Sequence, residues 1–276
     1  MLLPLFYVQS ALMEWVEIAG YGMGLIIGAI LGLLGGGGSV LIMPVLVYLF
    51  HILPAEATAY SLFVVGCGAL MGTFGSLKRN QVDWKTGGLF AVPSMLAVYT
   101  VQRWGLPAIP ETWAIGQYQM SKDTLIMGTF AFLMIAAAYS MLKRKTALKP
   151  KSFGNGLWWI IAAEGLVVGA ITGFVGAGGG FLIVPVLVVL LGMSMEIAVG
   201  TSLMIISIKS LVGFFGSLGN GAEVDWMLIL PFMALTVVGT HAGTLMRSRV
   251  KGSTLKRIFG WFILLMGVVI LLTESN

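Results

Sequence analysis

The stretch Gly28–Leu46, GAILGLLGGGGSVLIMPVL, constrains this chain more than any other, because the chain contains it twice. At Gly169–Leu187, 141 residues on, it reads GAITGFVGAGGGFLIVPVL, and 12 of the 19 positions are identical. The matches include Gly35 with Gly176, Gly37 with Gly178, Gly38 with Gly179 and Pro44 with Pro185. Each copy sets a run of glycines and then a proline inside an apolar stretch, where an unbroken helix would be the default. Glycine admits non-helical backbone angles, and proline removes a donor from the helical ladder. In lipid, such a break is tolerated only where protein buries it or a polar cavity hydrates it. Paired interruptions at matching places in two halves point to a transporter's binding site.

Composition supplies the lipid. The chain is 58% hydrophobic and only 10% charged, against about 25% charged in ordinary soluble domains. This is the make-up of an integral membrane protein whose main partner is the bilayer. The net charge of +5 sits in short blocks between apolar segments, where it sets topology rather than binding nucleic acid. Cys67 is the single cysteine, which excludes an internal disulfide and any multi-cysteine metal site. Residues 1–20 have no basic n-region and carry Glu14 and Glu17, so a cleaved signal peptide is not expected.

In chain order, residues 1–13 read as amphipathic or disordered. An apolar run from about Trp15 to Phe50 follows, cut at Gly35–Ser39. It is too long for one helix across a core of roughly 30 Å, so it is either a re-entrant hairpin or a span plus a half-helix. Spans are then expected at about Ala57–Leu77, Thr86–Arg103 and Thr124–Leu142, with a polar loop at Gly105–Asp123. A basic linker carries Lys143, Arg144, Lys145, Lys149 and Lys151. The second half repeats the plan with a broken run at Leu157–Leu191 and spans at about Glu196–Leu218, Trp226–Met246 and Thr254–Leu272. Beyond the glycines, Ser61-Leu62 matches Ser202-Leu203, and Phe74-Gly75-Ser76-Leu77 matches Phe215-Gly216-Ser217-Leu218. One insertion later, Val82-Asp83-Trp84 matches Val224-Asp225-Trp226. The chain is an internal duplication. The organisation expected is a first transmembrane repeat at 14–142, a cytoplasmic linker at 143–155 and a second repeat at 156–273.

Charge sets the relative orientation of the halves. The loop after the first Ala57–Leu77 span carries Lys78, Arg79 and Lys85, whereas its equivalent in half two carries Glu223 and Asp225. One loop later the bias reverses, with Arg247, Arg249, Lys251, Lys256 and Arg257 in half two. Short cytoplasmic loops collect Lys and Arg, so equivalent loops are expected on opposite sides. The fold class expected is an all-α integral membrane protein with two inverted-topology repeats, each a glycine-rich broken segment plus three spans. Each half then crosses three times if the glycine segment is re-entrant and five times if both arms span. Both termini fall on the extracytoplasmic side.

Lys209, near the middle of its span, is the most informative single residue. It lies on the order of 14 Å of helix from either polar boundary, where a lysine needs an anion, a carboxylate or a cavity. An anion site and a structural ion pair with Glu164 are the two readings. The glycine breaks Gly35, Gly36, Gly37, Gly38 with Ser39, and Gly176, Gly178, Gly179, Gly180, each precede a fresh helical start, and such starts present free N–H groups to anions. The alternative is that these glycines only permit close packing. The hydroxyls of Ser39, Ser61, Thr201 and Ser202 can bond sulfonate or carboxylate oxygens, or simply the carbonyl one turn back. Glu164 and His241 are the intramembrane candidates for proton coupling. No metal site, cofactor motif or catalytic constellation is visible, and a non-enzyme is expected. A small anionic substrate is the expected ligand, and a homodimer is compatible with the sequence.

The duplicated motifs GLLGGGGSVLIMP and GFVGAGGGFLIVP, the Ser-Leu pairs, the Gly-Ser span ends and the Val-Asp-Trp restarts together resemble the TauE/SafE family of membrane transporters. The resemblance covers nearly the whole chain. It implies an inner-membrane secondary carrier of sulfur-containing anions such as sulfite, sulfoacetate or another organosulfonate. A passive anion channel, or a membrane scaffold or subunit that transports nothing, are the alternatives. The polar insertion Gly105–Asp123, and Ser39 where half two has Gly180, depart from a symmetric pattern.

Overall fold

The computed structural model describes residues 3–115, 118–142, 157–176, 178–189, 191–220, 224–247 and 252–274. The basic linker lies outside these residues. In order, the chain forms α1 (Leu3–Leu34), a 3-10 turn (Gly37–Leu41), α2 (Ile42–Tyr48), α3 (Pro54–Leu77) and α4 (Trp84–Thr100). A π-turn (Val101–Gly105), α5 (Leu106–Ala108), strands β1 (Thr112–Ile115) and β2 (Tyr118–Ser121) and α6 (Lys122–Leu142) complete the first half. The second half is α7 (Leu157–Val175), α8 (Gly180–Val189), α9 (Met195–Leu218), α10 (Trp226–Met246) and α11 (Gly252–Glu274). Six of these helices are long and apolar enough to cross a membrane. The molecule is a multi-pass, predominantly helical membrane protein.

Two expectations need correction. Of the two readings of residues 1–13, disorder fails for 3–13, which are the first turns of α1, a helix that runs unbroken to Leu34. The polar loop at 105–123 is not structureless: β1 and β2 pair antiparallel, Thr112 opposite Ser121. Lys122 closes that hairpin, with its N–H on the Glu111 carbonyl and its ammonium 3.3 Å from the Glu111 carboxylate. Local turn chemistry of this kind has no apolar periodicity to announce it.

The glycine segment doubles back. Gly38 lies so close to α1 that a Cβ there would meet the Ile27 carbonyl oxygen and the Leu31 nitrogen at 2.6 Å. Farther along, Phe50 returns to Gly20 and stacks edge-on with Tyr21. The returning arm, Gly37–Tyr48, has 12 residues, on the order of 18 Å of helix against a core of roughly 30 Å. It is too short to cross alone.

Helix packing is close and reciprocal between the halves. Gly24, Gly28 and Gly32 of α1 rest on the backbone of Phe232, Thr236 and Thr240 of α10. Their repeat equivalents Gly165, Gly169 and Gly173 of α7 rest on Phe90, Ser94 and Val98 of α4. Each contact recurs with the halves exchanged. Small residues of this kind let helices approach at backbone distance in lipid, where dispersion replaces the hydrophobic effect. The equivalent helices α3 and α9 lie antiparallel at the centre, with Gly66 against Leu211, Gly72 against Leu203 and Gly213 against Leu62. Large side chains such as Phe132, Phe215 and Trp261 stay exposed on the perimeter, as a lipid-facing surface requires.

Candidate functional site

The two glycine breaks meet. A Cβ added at Gly36 would lie 2.5 Å from the Gly180 Cα, so the backbones touch where the halves join. The left-handed angles that the breaks need are φ +69° at Gly35, +116° at Gly36, +73° at Gly176, +62° at Gly178 and +70° at Gly179, a region L side chains rarely enter. Gly35 packs on Val199 of α9, and Gly176 packs on Thr58 of α3. Thr58 and Val199 are themselves equivalents, so this contact too is exchanged between the halves. All the described residues around the junction are closed off from solvent.

Lys209 is fully buried at this junction. Its ammonium donates to the Thr172 Oγ1 at 2.5 Å and lies where a Cβ on Gly179 would meet it at 2.9 Å. The ion pair with Glu164 read as an alternative from sequence does not form. Among the described residues Lys209 has no carboxylate within ion-pair distance. Glu164 is half-buried on α7, eight residues before Thr172 and so about 12 Å along the helix.

The hydroxyls divide into those that are occupied and one that is not. Ser39 Oγ donates to the Gly36 carbonyl at 2.6 Å. Ser202 Oγ donates to the Gly35 carbonyl across the junction and to Val199 at 2.9 Å. Thr201 Oγ1 accepts from the Asp83 N–H at 2.9 Å, at the start of α4 rather than at the breaks. Ser61 is fully buried, and its Oγ has no hydrogen-bond partner. Gly37 is buried in the 3-10 turn. His241 is exposed on α10.

The ends of the helices carry residues whose roles the sequence does not disclose. Asp83 caps α4 by accepting from the N–H groups of Lys85 and Thr86, and Asp225 caps α10 by accepting from Met227 and Leu228. The Asp225 N–H in turn donates to Tyr60 OH at 2.7 Å, mirroring Asp83 on Thr201. At the end of α1, the Arg247 guanidinium caps the Gly32 carbonyl at 2.8 Å, and Arg79 caps Thr244 at 3.1 Å. At the equivalent end of α7, Gln102 caps Gly173 at 2.6 Å, and Asn220 caps Gln102 at 2.9 Å. The first joint is built from two guanidiniums, and its counterpart from the amides of Gln102 and Asn220 with the Arg103 guanidinium donating to Asn220 Oδ1. Burial, then the neighbouring Arg79, lowers Arg247 to about 10, so it is still a cation at neutral pH. Thr172 was missed in the sequence, although a signal existed: its repeat equivalent is Leu31, a polar-for-apolar change at a matched position.

A family model described as sulfite exporter TauE/SafE matches residues 21–270. The chain belongs to the TauE/SafE family. Its curated relatives include a probable membrane transporter protein of Xylella fastidiosa strain 9a5c, 28% identical over 91% of this chain and 93% of that one. The probable membrane transporter protein YunE of Bacillus subtilis is 26% identical over 89% and 93%. A probable membrane transporter protein of Methanocaldococcus jannaschii is 25% identical over 73% and 72%. No solved structure matches the chain. As a TauE/SafE protein the chain is a membrane transporter, and its family is not one of enzymes.

Proposed function

We propose that this protein is a secondary transporter that carries a small sulfur-containing anion, sulfite, sulfoacetate or another organosulfonate, across the inner membrane by alternating access. The observation that carries the reading is Lys209, a fully buried lysine with no carboxylate partner among the described residues. A lysine in that position needs an anion, and the family name supplies the sulfur class. The ligand would sit where the glycine breaks meet, against Lys209 and the backbone of Gly178–Gly180; of the four hydroxyls expected there, those of Ser39 and Ser202 are taken up by the Gly36 and Gly35 carbonyls and that of Thr201 by the Asp83 N–H, which leaves that of Ser61 for the ligand.

The halves act as inverted repeats in this reading. Support comes from the antiparallel pair α3 and α9 and from the exchanged glycine contacts. The Arg79–Arg247 side is then cytoplasmic, and both termini are extracytoplasmic. With the junction closed, rocking of one repeat against the other opens it to each side in turn. Glu164 is the group proposed to couple transport to protons, since it shares α7 with Thr172. Glu164→Gln should preserve anion binding while removing acceleration by an imposed pH gradient.

The test is counterflow in proteoliposomes. Internal unlabelled sulfite should accelerate entry of labelled sulfite, and the flux should saturate. A linear flux without acceleration would favour a channel. No flux of sulfite or any organosulfonate would exclude the proposal.

A further inference from the structure

We infer that the anion site is one-sided, built at the second glycine break by Lys209, Thr172, Ser61 and the backbone of Gly178–Gly180, and that it selects a singly charged oxyanion. This rests on the proposed reading as an anion carrier and says where in the junction the anion binds.

The duplication supplies its own control. At the first break the polar groups are used internally: Ser39 Oγ bonds Gly36 O, and Ser202 Oγ bonds Gly35 O. The residues flanking that break are Leu31 and Gly68, and a Cβ on Gly68 would meet the Leu31 side chain at 2.9 Å. This break is sealed and apolar.

At the second break the same positions are Thr172 in place of Leu31, Lys209 in place of Gly68 and Ser61 in place of Ser202. Ser61 lies between Thr58, which meets Gly176, and Val65, which meets Gly178. With helical spacing it shares the α3 face turned to this break. Its hydroxyl does not copy the bond that Ser202 makes and has no partner. Leaving a buried donor unused is costly, and a ligand oxygen would satisfy it. Lys209 has three donors and makes one described bond, to Thr172. The break therefore holds unspent donors and a lysine, whereas its counterpart holds neither.

One protonated lysine in a junction closed to solvent compensates one negative charge. A second charge on the ligand would remain unpaired and pay its full desolvation cost. A sulfonate, or sulfite in its singly protonated form, matches this site, and sulfate does not.

The experiment uses the purified full-length chain, with binding of methanesulfonate and of sulfate read by ligand-dependent thermal shift. Ser61→Ala and Lys209→Met should each weaken methanesulfonate binding by about tenfold or more, the loss typical of a hydrogen bond to a charged group. Ser202→Ala should lower the melting temperature yet shift affinity less than about twofold, because its hydroxyl is held by the Gly35 carbonyl of the sealed break. Sulfate should bind the wild type at least about tenfold more weakly than methanesulfonate. The inference is overturned if the Ser202→Ala loss equals the Ser61→Ala loss, if Ser61→Ala and Lys209→Met both bind as wild type does, or if sulfate binds equally well. If the wild type binds no sulfonate or sulfite at all, the transport reading itself fails, and this inference fails with it.

Discussion

At the scale of single residues, how far a glycine is needed depends on where it sits. Gly36 has φ +116° and touches Gly180, and a Cβ there would also meet Ile206. Gly36→Ala should destabilise the protein by more than about 2 kcal/mol, through backbone strain and overpacking together. Gly22 in α1 has nothing within 4 Å of an added Cβ. Gly22→Ala should be neutral or stabilising by up to about 1 kcal/mol. Denaturant unfolding of both variants in detergent checks the contrast. The need for glycine at the breaks was legible in the sequence, because the repeat marks it twice. The fate of each hydroxyl was not. Thr201 bonds Asp83, and Tyr60 bonds Asp225, over 118 and 165 residues of separation. A one-dimensional pattern carries no information about partners that distant.

At the scale of elements, the repeat conserves joints and varies the chemistry that makes them. Each Val-Asp-Trp restart is a helix N-cap, and the aspartate satisfies donors that lipid could not. Asp83→Ala and Asp225→Ala should each cost about 1 kcal/mol in unfolding free energy. The sequence marks these restarts by repetition, but not the capping role of their aspartates. The C-terminal joints offer a sharper comparison. Gln102 does for Gly173 what Arg247 does for Gly32. Arg247→Gln should therefore keep most of the stability, whereas Arg247→Met leaves the Gly32 carbonyl without that donor and should cost about 1–3 kcal/mol. Equal losses in the two variants, measured by the same unfolding assay, would show that the charge and not the cap is what matters. Helix boundaries themselves were largely legible. The expected Trp226–Met246 span coincides with α10, and Glu196–Leu218 begins one residue inside α9. Apolar length and polar loops dictate those limits directly. The β1–β2 hairpin was not legible, because two four-residue strands leave too little alternation to read.

At the scale of the whole molecule, a duplicated chain has folded so that each half completes the other. The α1 helix packs on α10 and α7 on α4, while the equivalent helices α3 and α9 cross antiparallel at the centre. The duplication is legible in the sequence, and the swapped lysines and arginines predict loops on opposite sides. The sequence did not disclose that the two glycine breaks touch, because contact between segments 141 residues apart depends on the packing of every helix between them. The exchanged contacts make the inverted arrangement the central claim of this account. Lys78 and Gly219 are equivalent exposed positions just after α3 and α9. In a background with Cys67→Ala, Lys78→Cys and Gly219→Cys can be labelled on intact cells with a membrane-impermeant thiol reagent. The account predicts that Gly219→Cys reacts from outside, while Lys78→Cys reacts only after lysis. Labelling of both positions from the same side would contradict it.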